Sequence, residues 1–225
     1  MPDSQEVAQV FFLNRHDAAE RLSQALTRWK GRNPLILAIP RGAIEIGRVI
    51  AHRLDGELDV VLVRKLRAPS SPEFAVGAVA ENGWSYIAPH ALAAGADDRY
   101  IDEEKRYQLN VLKERRQRYT PDRASTDARG RIAIVVDDGL ATGATMVAAL
   151  HAVRALQPAR LICAVPVASP RGIALVRPLA DEVVCLLAPE EFGSVGQFYR
   201  TFEQVEDEQA SRWLSETVRR TPASP

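Results

Sequence analysis

The stretch Ile132-Ala133-Ile134-Val135-Val136-Asp137-Asp138-Gly139-Leu140-Ala141-Thr142-Gly143-Ala144-Thr145 decides how the rest of the chain is read. Its first five residues are apolar and mostly β-branched, which suits a buried strand. The strand runs into two adjacent carboxylates. A turn of small residues follows, and then a helix expected over 143–157, with Met146, Leu150, Val153 and Leu156 facing inward. The turn therefore presents backbone N–H groups and the Thr142 and Thr145 hydroxyls at a helix N-terminus. Unpaired N–H groups and the helix dipole both favour an anion there. Gly139 and Gly143 let the backbone come close to it. Two carboxylates cannot share the anion's position without repulsion, so they suit hydroxyls or a cation beside it. A sugar phosphate with a vicinal diol supplies both.

Working outward, short apolar runs at 35–39, 59–63, 161–165 and 183–187 read as further buried strands. Helical stripes lie between several of them. Ala43, Gly47, Ile50 and Leu54 share one face after the turn Pro40-Arg41-Gly42, and a helix over 171–179 is broken at Pro178. Buried strands alternating with helices predict an α/β fold, a parallel central sheet flanked by helices. An opening helix is expected at Asp17, with Glu20 completing a capping box. The stretch Arg64 to Glu73, with four charges and two prolines, reads as a mobile loop. Residues 74–80 and 84–87 read as a hairpin, because Asn82-Gly83 favours a tight turn. Residues 98–119 read as a long, charged surface helix. We expect one domain over 1–219 and a disordered tail at 220–225.

The chain has 225 residues, enough to bury its own core without disulfides or metals. Its 29 basic and 29 acidic residues give zero net charge, which argues against a general nucleic-acid or membrane-surface binder. The excess of 25 Arg over 4 Lys fits genomic composition bias. No apolar run is long enough to span a bilayer, and no signal peptide is visible at the start. Cys163 and Cys185 stand alone in strands, as expected of free thiols in a reducing cytoplasm. The four His show no metal-ligand spacing.

Two common phosphate cradles are excluded. Gly143 is followed by Ala144, not by the Lys of a Walker A loop, and no GxGxxG is present. An aspartate-nucleophile phosphatase needs two Asp separated by one residue near the first strand, and the adjacent Asp137 and Asp138 do not match.

The 132–145 segment instead resembles the PRPP-binding motif of the type I phosphoribosyltransferases. Three further segments extend the likeness. Ile39-Pro40-Arg41-Gly42-Ala43 is similar to the family's pyrophosphate loop, and Val63-Arg64-Lys65 to the start of the flexible loop in adenine-type members. Pro189-Glu190-Glu191-Phe192, followed by Val195-Gly196, is similar to the hood of hypoxanthine-type members. Over its full length the chain looks most like a group of uncharacterised bacterial phosphoribosyltransferase-like proteins.

The resemblance implies a phosphoribosyltransferase fold with a flexible hairpin loop at 64–87 and a hood at 188–206. It also implies PRPP-dependent transfer of a phosphoribosyl group to a nitrogen heterocycle, assisted by Mg²⁺. Gly139, Leu140, Ala141, Thr142, Gly143, Ala144 and Thr145 would cradle the 5′-phosphate. Asp137 and Asp138 would take the ribose hydroxyls, or the metal through those hydroxyls or water. Pro40, Arg41, Gly42 and Ala43 would hold pyrophosphate, with Arg64 and Lys65 adding positive charge and Phe192 meeting the acceptor. The peptide before Arg41 is expected to be cis. Glu73 and Glu81 are further acids near the hairpin.

Two departures stand out. Ala141 occupies the position where 6-oxopurine enzymes carry an Asp, and Arg200 the position of the hood's metal-binding Asp. A homodimer is left open. The alternative function is a PRPP- or nucleotide-sensing regulator, for which the Arg-rich helix 98–119 would touch RNA.

Overall fold

A computed structural model describes residues 11–121 and 124–218, with all side chains among them except those of 72, 73, 217 and 218. The expected tail at 220–225 lies outside the described residues. The central sheet has five strands: β1 (Leu35–Ala38), β2 (Glu57–Val60), β6 (Ile132–Val136), β7 (Arg160–Val167) and β8 (Glu182–Leu187). Their order is β2-β1-β6-β7-β8, and every pairing is parallel. Side chains alternate between the two faces, as strand geometry requires. Ile36, Ala38, Ile134, Val136, Ile162 and Ala164 join one apolar core. Leu35, Leu37, Ala133, Val135, Leu161 and Cys163 join the other. Helices α1 (Arg15–Ala25), α2 (Ala43–Leu54) and α6 (Asp207–Val218) cover the first face. Helices α4 (Ala144–Arg154) and α5 (Pro170–Val176) cover the second.

This topology creates the site. The chain leaves β1 toward α2 on one face and leaves β6 toward α4 on the other. The two strands are neighbours, with Ala38 paired to Val136. Loops that diverge from adjacent parallel strands open a crevice at their carboxyl ends, the usual ligand position in such sheets.

Several expectations are corrected. Residues 64–73 are not a loop. They form β3 (Val63–Ala68), a turn at Pro69 and Ser70, and the start of β4 (Ser71–Ala80). With β5 (Ser85–Ile87) these make a second, antiparallel sheet in the order β3-β4-β5, so the hairpin is present but longer than read. Register shifts around Arg67 blur the period-two pattern in the sequence. The opening helix starts earlier than Asp17: Asn14 is its cap and accepts from the Asp17 N–H at 2.9 Å. Asp17 in turn accepts from the Leu13 N–H, which makes it the returning member of the capping pair. Helix α6 was not anticipated.

Helix α3 (Asp98–Tyr119) keeps its expected bounds but is only partly a surface helix. Glu104 and Gln108 are buried. Glu104 accepts from the Arg67 backbone N–H and its Nε, and Arg64 Nε donates to Gln108. Arg116 donates to Asp59 at 2.7 Å, to the Val60 carbonyl at 2.9 Å, and to both oxygens of Glu81. Glu81 is therefore a structural partner of Arg116. The side chain of Glu73 lies outside the described residues. Burial opposes the Arg116 charge, but Glu81 and Asp59 outweigh it and raise its pKa.

At the end of α3, the Tyr119 hydroxyl donates to Asp207 of α6 at 2.8 Å. Burial, then the Asp207 hydrogen bond and charge, push Tyr119 from 10 up to about 12. The folded chain thus holds this proton more tightly than the unfolded one. Its contribution to stability is complete below pH 10 and is lost as pH rises to about 12. Thermal denaturation across that window should fall steeply for the parent chain and less steeply for Tyr119→Phe. Identical slopes would refute the linkage.

Candidate active site

The two loops at the mouth of the crevice touch each other. An ideal Cβ built on Gly42, at the start of α2, would overlap Asp138 Oδ2 and sit 2.7 Å from Arg15 Nε. Any larger residue at that position would have to displace the Asp138–Arg15 pair, because the loop after β1 presses on the acids after β6. Gly42 has ordinary helical dihedrals, so the constraint is space and not backbone conformation. The Pro40–Arg41 peptide is cis.

The loop after β6 is held from below. The Leu140 N–H donates to the Val167 carbonyl, and the Ser169 N–H donates to the Leu140 carbonyl. The Ser169 hydroxyl donates to the Ala141 carbonyl at 2.6 Å. Gly143 takes a left-handed conformation with φ 76° and caps α4. A side chain there would be strained, which accounts for the glycine. Thr142, Ala144 and Thr145 are exposed. Helices α1, α3 and α5 are capped by the side chains of Asn14, Asp97 and Ser169. Helices α2 and α4, which begin at the crevice, have no side-chain cap. At α2 the Ile44 N–H turns back to the Arg41 carbonyl at 3.1 Å, and no side chain takes up the other first N–H groups of the two helices.

The paired acids have unequal surroundings. Arg15, the first residue of α1, donates from Nε and Nη2 to Asp138 Oδ2 at 3.0 and 2.9 Å. The Tyr199 hydroxyl donates to the Asp138 main-chain carbonyl at 2.7 Å. Burial raises the Asp138 pKa, and Arg15 opposes this without cancelling it. Burial, then the neighbouring Asp138 charge, push Asp137 well above the usual carboxylate range. Its nearest support is the Asp138 N–H, which donates to it at 2.9 Å. Burial, then the Asp138 charge, also push the Tyr199 hydroxyl far up. Cys163 and Cys185 are free thiols, as expected.

Sequence reasoning missed Arg15 altogether. One signal was available: a cation in the first turn of a helix opposes the dipole and calls for a compensating acid.

The other expected residues are more scattered. Arg41 lies 3.8 Å from Glu206 and from Asp207 of α6, so its charge already faces two acids. Arg64 is half-buried on β3 against Gln108, while Lys65 is exposed. Burial, then Arg115 and Arg67, lower the Arg64 pKa. Adjacent strand residues point to opposite faces, so Arg64 and Lys65 do not form one cluster. Phe192 is half-buried and packs on Phe198 with ring centroids 5.2 Å apart. It thus helps to build the apolar core of the hood, with Phe12, Val167 and Tyr199. Ala141 offers no titratable group, and Arg200 is exposed.

Among the described residues, no group of three or more His, Cys, Asp or Glu could hold a metal ion. The donors at the crevice are two carboxylates, one of them already paired with Arg15. Oxygen-only donors of this number fit Mg²⁺ as an ion shared with substrate oxygens and waters, not as one caged by protein. No helix among the described residues is long and apolar enough to cross a membrane.

Comparison with known proteins agrees with this geometry. The family model described as phosphoribosyl transferase domain matches residues 12–202. A Mycobacterium tuberculosis H37Rv protein, provisionally named a phosphoribosyl transferase, is 37% identical over 209 residues, covering 92% of this chain and 47% of its own length. Its counterpart in strain CDC 1551 matches equally. The chain thus spans about half the length of the curated relatives it matches. The crystal structure of a Thermus thermophilus protein superposes with a TM-score of 0.81 at 43% identity, covering 92% of this chain and 99% of that one. The family match takes in the central sheet, both crevice loops and most of the hood, and the chain belongs to the phosphoribosyl transferase family.

Proposed function

We propose that this chain is a PRPP-dependent phosphoribosyltransferase. It would transfer the 5-phosphoribosyl group to a nitrogen of a nucleobase-like heterocycle and release pyrophosphate. The observation that carries this reading is the contact between the loop after β1 and the acids after β6, at Gly42 and Asp138. Two uncapped helix starts and a pair of carboxylates meet there, matching the 5′-phosphate, the pyrophosphate and the diol of PRPP.

In this reading the N–H groups of the 139–145 loop and the Thr142 and Thr145 hydroxyls hold the 5′-phosphate. Asp137 and Asp138 accept from the ribose hydroxyls. Residues Pro40 to Ala43 line the pyrophosphate. Arg41 exchanges its long contacts with Glu206 and Asp207 for the departing anion. Arg64 leaves an amide partner to do the same, so it breaks no ion pair, and Lys65 adds charge. Asp137 and Asp138 would hold a magnesium ion through the ribose hydroxyls or water, and that ion would supply positive charge toward the leaving pyrophosphate. As C1′ becomes oxocarbenium-like, the work of the chain is positioning and electrostatics, without a protein nucleophile. With Ala141 carrying no acid, proton transfer falls to water or to groups of the hood or hairpin. Phe192 is the proposed ring beside the acceptor. We take residues 1–219 as one functional domain, with the 64–87 hairpin and the 188–206 hood bordering the site.

The RNA-binding alternative is less favoured. On helix 98–119, Arg116 already faces Asp59 and Glu81, and Arg118 faces Asp207.

The direct test is incubation with PRPP, Mg²⁺ and a panel of nitrogen heterocycles, reading pyrophosphate release. Release that depends on one class of base supports the transferase. PRPP binding without release under every base would favour a sensor. Thr142→Ala should weaken PRPP about tenfold or more, as loss of one hydrogen bond to a charged group costs ~1.5–3 kcal/mol. Thr142 is exposed, so the melting temperature should hold. Calorimetric titration with PRPP checks this, and unchanged affinity would remove Thr142 from the site.

A further inference from the structure

Arg15 is the best-anchored side chain at the crevice that the family motifs do not account for. It is 8% exposed. Its Nε and Nη2 both end on Asp138 Oδ2, which leaves Oδ1 outside the pair. Its Nη1 donates to the Glu203 carbonyl at 2.7 Å. Its guanidinium lies over the Phe202 ring, 3.8 Å from the centroid. Phe202 in turn packs on Tyr199, with centroids 4.9 Å apart. One planar cation thus meets the acid after β6, the chain just beyond the hood's Tyr199, and an aromatic face.

Its placement is costly for helix stability alone. A cation at the first position of α1 opposes the helix dipole, and a buried guanidinium must satisfy its donors. The segment before α1 is laced to the hood. Phe12 bridges Tyr199, the Phe12 N–H donates to the Phe198 carbonyl, and the Arg200 and Thr201 N–H groups donate to Phe12 and Leu13. That lacing fixes where Arg15 begins. The same Asp138 is gripped at its carbonyl by Tyr199. Side chain and main chain of one acid are therefore both held, by groups that also order the 198–203 segment.

We infer that Arg15 is a positioning residue for the ribose end of the site. By holding Asp138 through Oδ2 alone, it orients Oδ1 to accept from one ribose hydroxyl, and it ties that carboxylate to the hood through Glu203 and Phe202. The inference rests on the PRPP reading above. Arginine is required because a planar fork can pair with a carboxylate and stack on a ring at once, which a lysine ammonium cannot do.

The experiment compares the parent chain with Arg15→Gln and Arg15→Lys. It titrates each with PRPP plus Mg²⁺, with ribose 5-phosphate and with inorganic phosphate. The parent must bind PRPP; if it does not, the functional reading itself fails, and this inference with it. Given binding, Arg15→Gln should weaken PRPP and ribose 5-phosphate about tenfold, while inorganic phosphate changes less than about twofold. Arg15→Lys should recover part of the loss. In turnover with an accepted base, the loss should appear in the KM for PRPP and not in that for the base. Equal weakening of all three ligands would mean that Arg15 only supports the fold, and would overturn the inference. Unchanged PRPP affinity would overturn it too. If Arg15→Gln fails to fold, Arg15→Lys decides by the same ratio of ribose 5-phosphate to inorganic phosphate.

Discussion

An Asp138→Asn variant is expected to bind PRPP about 100-fold more weakly than the parent chain while still folding. The substitution keeps the shape, so the Arg15 contacts to Oδ2 can persist geometrically. It removes the negative charge, and with it the charge-assisted bond to a ribose hydroxyl. Such bonds are worth roughly twice a neutral one, and ~1.5–3 kcal/mol is the usual cost of losing one. A factor of 100 corresponds to about 2.7 kcal/mol. An amide beside Arg15 also leaves a buried cation without its counter-charge, so the melting temperature should fall as well. Calorimetry with PRPP and Mg²⁺ is the measurement, alongside a thermal melt to show that the variant folds. Affinity within about threefold of the parent would remove Asp138 from the ribose site.

The largest expected effect on stability comes from a residue far from any motif. Arg116→Met should destabilise the chain by ~3–5 kcal/mol, the range for breaking a buried ion pair by removing one partner. Asp59 is 1% exposed and Arg116 is 12% exposed at its side chain. Methionine fills much of the volume, but Asp59 and Glu81 lose their shared cation. For a chain of this length each kcal/mol shifts the melting temperature by roughly 2–4 °C, so a drop of about 10 °C is expected. Arg118→Met is the control. That side chain is 63% exposed and pairs with Asp207 at the surface, so its loss should cost under about 1 kcal/mol. Equal effects of the two substitutions would refute the assignment of Arg116 as the anchor between α3, β2 and the hairpin.

The central sheet and both crevice loops were legible locally. The run Ile132 to Val136, the Asp137-Asp138 pair and the small-residue turn to Thr145 all carry signals within a few residues of one another. So do the Pro40-Arg41-Gly42 turn and the bounds of α3 at Asp98 and Tyr119. Apolar runs and helix starts express short-range physics, and tertiary packing did not override them here. Some misses were also local. Asn14 with Asp17 is a capping pair, and Ala210 with Leu214 is a helical apolar spacing in α6; both were there to be read.

The rest depended on residues that meet only in the folded chain. Arg15 and Asp138 are 123 positions apart, and nothing near either one announces the other. Arg64 and Arg67 looked like solvated charges of a mobile loop because a sequence does not say whether a charge faces water or a buried partner. Gln108 and Glu104 on α3 answer that, and they turn the stretch into a strand. Arg41 looked free for an anion until Glu206 and Asp207, at the entry to α6, came to 3.8 Å. Strands, helices and loop chemistry follow from backbone preferences and apolar periodicity, which act over a few residues. The pairing of charges depends on desolvation and distance in three dimensions, so only the tertiary fold could decide which arginine holds which acid.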